Sequence, residues 1–138
     1  MDLARAIHER WAADGDLNAA LDAARVMTGT YLEEEPAFPY AIIRTTGGRP
    51  VAQANNSSAV DEVQLEIIVS HDADNYDELL AIAHRVKQAF NRADFNISDS
   101  CKVINVERAW DYPIQDDDTR VWDWYMLFTV RVYLPAGV

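Results

Sequence analysis

The 138-residue chain contains one cysteine, Cys101, so an internal disulfide is excluded and stability must come from burial. Cys101 lies in the strand-like run Cys101-Lys-Val-Ile-Asn-Val, where a half-buried thiol packs as a small apolar group. A reducing compartment suits it. Long hydrophobic runs are also missing: no segment approaches the ~18 apolar residues of a membrane span. The opening Met1-Asp2-Leu3-Ala4-Arg5-Ala6 carries no basic flank leading into an apolar stretch. The expectation is a soluble chain, intracellular at synthesis, with no membrane contact.

Basic residues are scarce. Twelve Lys and Arg face twenty-three Asp and Glu, a net charge of −11 with a pI near 4.5. Tight binding to a phosphate backbone depends on Lys and Arg displacing counterions, so the monomer is not expected to hold DNA. An acidic surface beside nucleic acid can instead imitate it, or form a wall that it slides past. A chain this long suits one domain, residues 1–138, burying about 68% of its unfolded surface.

Leu3, Ile7 and Trp11 at i, i+4 spacing predict an opening helix with Asp2 as cap and Gly15 as stop. A short second helix after Asp16 would bury Leu17, Ala20, Leu21 and Ala24. The first strand is expected over Val26 to Leu32, ending in Glu33-Glu34-Glu35. Pro36 and Pro39 then hold an extended connection into a strand from Tyr40 to Thr45. The next strand, Val63 to Val69, alternates: Val63, Leu65, Ile67 and Val69 face one way and Glu62, Gln64, Glu66 and Ser70 the other, with Ile68 an intruder. A helix follows near Asn75, whose apolar stripe is Leu79, Ile82, Ala83, Val86 and Phe90. Two strands, Lys102 to Trp110 and Arg120 to Leu134, close the chain through Pro113 and the Asp116-Asp117-Asp118 turn. The last places Trp122, Trp124, Met126, Phe128, Val130, Val132 and Leu134 on one face. Val121, Tyr125, Leu127 and Tyr133 keep its other face apolar too, which predicts cover by a helix or another subunit.

The fold class expected is therefore α+β: a mainly antiparallel sheet of about five strands packed against two helices. Its order is helix, short helix, strand, strand, strand, helix, strand, strand. Between Thr45 and Val63 lies Thr46-Gly47-Gly48-Arg49-Pro50-Val51-Ala52-Gln53-Ala54-Asn55-Asn56-Ser57-Ser58, read as a long polar loop over about 46–59. Loops of this length inside compact domains tend to be functional or disordered. Its small apolar content predicts mobility in the free subunit and ordering on assembly.

Catalytic and metal groupings fail on spacing. His8, His71 and His84 share no ligand pattern. Asp72-Ala-Asp74-Asn-Tyr76-Asp-Glu78 lacks the turn glycine of a calcium loop and has Tyr76 at a ligand position. Ser70-His71-Asp72 would alternate across a strand and so form no nucleophilic relay. Gly47-Gly48-Arg49 lacks the spacing of a phosphate cradle. Trp122 and Trp124 fall in register with Met126 and Phe128, as core residues would, whereas Trp110 before Asp111-Tyr112-Pro113 suits a sheet rim or subunit contact. No activity, cofactor or metal is expected.

The order of these elements, with Phe38-Pro39-Tyr40-Ala41-Ile42-Ile43, Val63-Gln64-Leu65-Glu66-Ile67-Ile68-Val69 before the helix Tyr76 to Phe90, and Leu127-Phe128-Thr129-Val130-Arg131-Val132, resembles the tail-terminator (tail-completion) proteins of long-tailed bacteriophages. That resemblance implies a virion structural protein, made in the host cytoplasm, that assembles as a ring, usually a hexamer, on the head-proximal end of the tail tube. Such a ring ends tube polymerisation and meets the head's connector protein, with DNA passing through its lumen unbound. It would place Gly47, Gly48, Arg49, Pro50, Asn55 and Asn56 toward lumen or tube. Candidate subunit contacts are Tyr125, Leu127 and Tyr133, together with Arg44, Arg49 and Arg131 pairing with a neighbour's Glu33, Glu34, Glu35 or Asp116, Asp117, Asp118. Another neck protein, a head-completion or connector protein, is the nearest alternative. An acidic DNA mimic should spread its carboxylates over one face, whereas here they cluster in loops and caps. A small cone-shaped α+β enzyme using a residue such as Asp123 would lack the mid-chain helix.

Overall fold

A computed structural model describes residues 3–29, 36–53, 59–93, 95–97 and 101–134. Helix α1 spans Leu3–Ala13 and α2 Gly15–Ala20, and a 3-10 turn over Ala23–Arg25 leads into β1, Val26–Thr28. Then come β2 (Tyr40–Gln53), β3 (Ala59–His71), α3 (Tyr76–Phe90), β4 (Phe95–Asn96), β5 (Lys102–Gln115) and β6 (Trp122–Leu134). Among the described residues the strands form one six-stranded sheet in the order β1-β2-β3-β6-β5-β4. All neighbouring strands run antiparallel except β1, which lies parallel to β2. The α+β class therefore holds, but the sheet is mixed and carries short strands at both edges.

The expected periodicities place the core. Leu3, Ile7 and Trp11 of α1 and Leu79, Ile82, Ala83, Val86 and Phe90 of α3 are buried in one cluster. The same cluster holds Val63, Leu65, Ile67 and Val69 of β3 and Trp124, Met126, Phe128, Val130 and Val132 of β6. Both helices thus cover one face of the sheet. Cys101 is buried, and Trp122 and Leu134 pack at the cluster's margin.

Several boundaries differ from expectation. Gly15 does not stop a helix: Asp14 breaks the chain into extended backbone and its carboxylate accepts from the Leu17 N–H at 3.0 Å, so α2 begins at Gly15. Ala23, rather than Ala24, turns inward, because Asp22 caps the 3-10 turn and leaves Ala24 exposed. Asn75 is the N-cap residue of α3 without a capping side-chain bond; its amide donates to Asp72 Oδ1 instead.

The largest correction concerns the loop. β2 runs on through Gly47, Gly48, Arg49 and Pro50 to Gln53, paired with β3 as far as Gln53↔Ala59. Register shifts between Thr46 and Gly48 and between Pro50 and Ala52 absorb the residues that read as a turn. Gly47, at φ +50°, takes the left-handed conformation that one such bulge requires. β1 covers β2 only at Ala41–Ile43, so Pro50 lies where β2 is an edge strand, the part of a sheet in which proline is tolerated. The connection shrinks to residues 54–58, and Asn55 and Asn56 lie outside the described residues. Glu33, Glu34 and Glu35 lie outside them as well, and β1 ends at Thr28 rather than Leu32.

Pro113 likewise lies inside β5, not in a connection, opposite Trp124. β4 pairs with β5 only at Lys102 and Val103, so the rest of β5 is an edge strand too.

Trp11 joins the opening segment to the core. It is fully buried, its ring centroid lies 6.2 Å from that of Phe90, and its Nε1–H donates to the Leu21 carbonyl at 2.8 Å. Trp11→Ala should cost about 3–5 kcal/mol through the cavity it leaves. Trp11→Phe should cost about 1–3 kcal/mol by stranding a carbonyl. Urea unfolding followed by circular dichroism should rank the midpoints wild type, Trp11→Phe, Trp11→Ala; coincident midpoints would contradict this anchoring.

Candidate functional site

Opposite the helices, the strand registers build rows of side chains across β2, β3, β6 and β5. One row is Ile42, Ile68, Tyr125 and Tyr112; the next is Arg44, Glu66, Leu127 and Trp110. Further along come Thr46, Gln64, Thr129 and Glu107, then Arg49, Glu62, Arg131 and Asn105. On the other side of the Ile42 row lie Tyr40, Ser70, Asp123 and Ile114. This face is therefore graded, aromatic and aliphatic near the β5–β6 turn and charged at the far end.

The charged end satisfies itself. Arg44 pairs with Glu66, Arg49 with Glu62 at 3.3 Å, and Arg131 approaches the same Glu62 at 3.9 Å. Thr129 and Gln64 lie 3.5 Å apart between them. Directly opposed unlike charges are the favourable cross-strand arrangement, so the three arginines expected to reach a neighbouring subunit have partners within the chain. Gly47 and Arg49 border a shallow groove here with Thr46, Glu62 and Gln64.

The apolar end has no such closure. Trp110 stacks on Tyr112 with centroids 4.9 Å apart, and Tyr112 on Tyr125 at 5.8 Å. Trp110, Tyr112 and Ile114 are 43%, 41% and 45% exposed, while Ile68 beneath the row is only 7% exposed. Large aromatic side chains exposed together on a rigid strand are typical of contact surfaces. Tyr125 and Leu127 belong to this surface, whereas Tyr133, equally exposed, sits at the opposite end between Val60 and Lys102. Of the β5 contribution, Trp110 was expected at a sheet rim or subunit contact, but Tyr112 and Ile114 were not foreseen. Its signal is the period-two series Trp110, Tyr112, Ile114, which Pro113 disguised as the end of a strand.

At the turn, Asp116 accepts from the Thr119 and Asp118 backbone N–H groups, and these bonds hold its carboxyl below the usual range. Asp117 and Asp118 are exposed, and their carboxylates have no partner among the described residues. Burial pushes the Asp123 carboxyl up, assisted by the charge of Asp116 and opposed by the hydroxyl of Ser70, which donates to it at 2.5 Å. Burial also raises the Tyr125 phenol, with the charges of Asp123 and Glu66 adding to the effect. Behind the sheet, burial likewise acts to raise Asp111. Donors from Trp124 Nε1 at 2.9 Å and Lys87 Nζ at 3.0 Å, with the charges of Lys87 and Arg108, outweigh it and hold Asp111 below the ordinary value.

No catalytic relay is assembled by these groups. Ser70 bonds Asp123 on the outer face, while His71 Nδ1 accepts the Asp72 N–H at 2.8 Å. Nε2 of His71 lies 3.1 Å from Glu78 Oε2 without hydrogen-bond geometry. Among the described residues no three His, Cys, Asp or Glu side chains are grouped to hold a metal.

The outer face thus carries a paired charged end and an exposed apolar end. The sequence profile of a family described as tail completion protein gp17 matches residues 5–133. The chain belongs to this family. It is a structural component of a virion tail, as the tail-terminator resemblance implied. No curated protein matches the tail completion chain. Among solved structures, a chain of the virion of a native gene transfer agent particle shares the fold at a TM-score of 0.74 and 18% identity, covering 95% of this chain and 94% of that chain.

The pKa shift of Asp123 has a stability consequence. A folded-state value raised above the unfolded one contributes stability below the unfolded pKa of about 3.8 that is lost as pH rises through the folded pKa. Asp123→Asn keeps an acceptor for Ser70 and carries no charge to bury. It should be more stable than wild type at pH 7, with the advantage vanishing as the pH falls to about 3.8. Chemical denaturation at the two pH values checks this; an Asp123→Asn variant less stable than wild type at pH 7 would contradict the burial argument.

Proposed function

We propose that this tail completion protein acts by binding alone, as a closed homo-oligomeric ring, most simply a hexamer, on the head-proximal end of the tail tube. Its mechanism is geometric. A ring that covers the growing end offers no further copy of the tube's own edge, so polymerisation stops and the opposite rim meets the head's connector protein. The observation that carries the reading is the graded outer sheet face in a member of this family. Its charged end is internally paired, and its apolar end, Trp110, Tyr112, Tyr125, Leu127 and Ile114, is left to a protein neighbour. DNA would pass the lumen without being held, since the net charge of −11 repels phosphate. No enzymatic step is part of this reading: Ser70, His71 and Asp123 are taken up by structural contacts.

Six copies would carry about −66 in total, a self-repulsion that salt screens over a Debye length of ~8 Å at physiological ionic strength. Assembly should therefore strengthen as salt rises from low to physiological concentration. Electron microscopy of tail tubes mixed with purified protein provides the test. Tubes capped at one end by a ring, and no longer able to elongate, are expected. Continued elongation of tubes that carry the protein, or capping by a single subunit, would contradict the reading.

A further inference from the structure

A ring of subunits that each carry −11 needs local contacts between opposite charges, and half of the twelve Lys and Arg side chains of this chain are engaged elsewhere. Arg44, Arg49 and Arg131 face Glu66 and Glu62. Arg5 pairs with Glu9, Arg10 lies over the Phe95 ring, and Arg25 donates to the Phe38 carbonyl. What remains concentrated is on the solvent side of α3 where it meets β5. There a groove of about 280 Å³ is lined by His84, Lys87, Gln88, Asn91 and Arg108. Lys87 Nζ and Arg108 Nη1 both bond Asp111, at 3.0 and 3.1 Å, but Asp111 is the one carboxylate between two cations and its side chain is only 12% exposed. The groove therefore presents net positive charge and amide donors to an incoming anion.

The complementary feature is the turn between β5 and β6. Asp116, Asp117 and Asp118 stand on it against a single cation, Arg120. The carboxylates of Asp117 and Asp118 point to no partner among the described residues. Arg108 and Asp116 are both on the β5 side of the hairpin, 116 − 108 = 8 residues apart, which at ~3.3 Å per residue separates them by roughly 26 Å. The turn cannot fold back onto its own groove. We infer that the acidic turn of one copy seats in the Lys87–Arg108 groove of the next. Two different patches far apart on one chain make a head-to-tail contact, the kind whose repetition closes a ring. The inference rests on the ring reading above and assigns the contact that sets its direction. Trp110, Tyr112 and Ile114, on the strand that leads to the turn, would be carried against the neighbour by the same docking.

Paired charge reversals test it on full-length protein with tail tubes. Asp117→Lys with Asp118→Lys reverses the turn, and His84→Glu with Gln88→Glu reverses the groove. All four positions are exposed, and thermal unfolding verifies that each variant folds. Either reversal alone should weaken ring formation on tube ends by at least about tenfold, because like charges then face each other across the contact. The combined variant should recover to within about threefold of wild type. Unchanged capping by both single-patch variants would overturn the contact while leaving the ring intact. Loss in the groove variant that reversal of the turn does not restore would assign the groove to the tube, the connector or DNA, and would also overturn it. Failure of the wild-type protein to form rings would remove the reading on which the contact stands.

Discussion

The unbroken ladder between β3 and β6, from Ala59↔Leu134 to His71↔Trp122, is the constraint on which the remaining structure depends. Because side chains alternate, one register choice decides both faces of the sheet together. It sets Val63, Leu65, Ile67 and Val69 beside Val130, Phe128, Met126 and Trp124, under α1 and α3. By the same step it sets Glu62 against Arg131 and Ile68 against Tyr125 on the outer face. A slip of one residue would drive Glu66 into the core and expose Leu65, so the buried face holds the outer face in place.

The outer face then divides its labour. At the far end, acid and base alternate across the strands and neutralise one another, leaving little for a partner beyond hydration. Exposed pairs of this kind contribute about 0–1 kcal/mol each and mainly discourage pairing in the wrong register. At the turn end, burial of Ile68 by its lateral neighbours is incomplete cover for a row of aromatic rings. A hydrophobic surface on a stiff hairpin loses little conformational entropy on docking, which favours contact with another protein surface.

Much of this was legible in the sequence because the period was strong where burial was strong. Leu79 to Phe90 and Val63 to Val69 could be assigned from spacing alone, and the apolar second face of β6 was visible in Tyr125 and Leu127. Legibility failed at the sheet edges. Gly47, Gly48, Pro50 and Pro113 all signal turns in local propensity, yet an edge strand accommodates glycine in a bulge and tolerates proline. The loop read between residues 46 and 59 was consequently mostly strand, and the β5 half of the aromatic surface was cut off at Trp110. The arginines were identified as pairing groups, and the register adds that Glu66 and Glu62 of the same chain lie against them. β1, parallel to β2 after an intervening connection, carries no local mark of its direction.

The central claim is that the turn end of the outer sheet face is covered by protein in the assembled tail. Oxidative footprinting of free subunits and of capped tubes, read at Trp110 and Tyr112, measures this directly, with Tyr133 at the opposite end as an internal comparison. The account predicts that modification of Trp110 and Tyr112 falls several-fold on assembly. Equal modification of these two rings in free and assembled protein would contradict it.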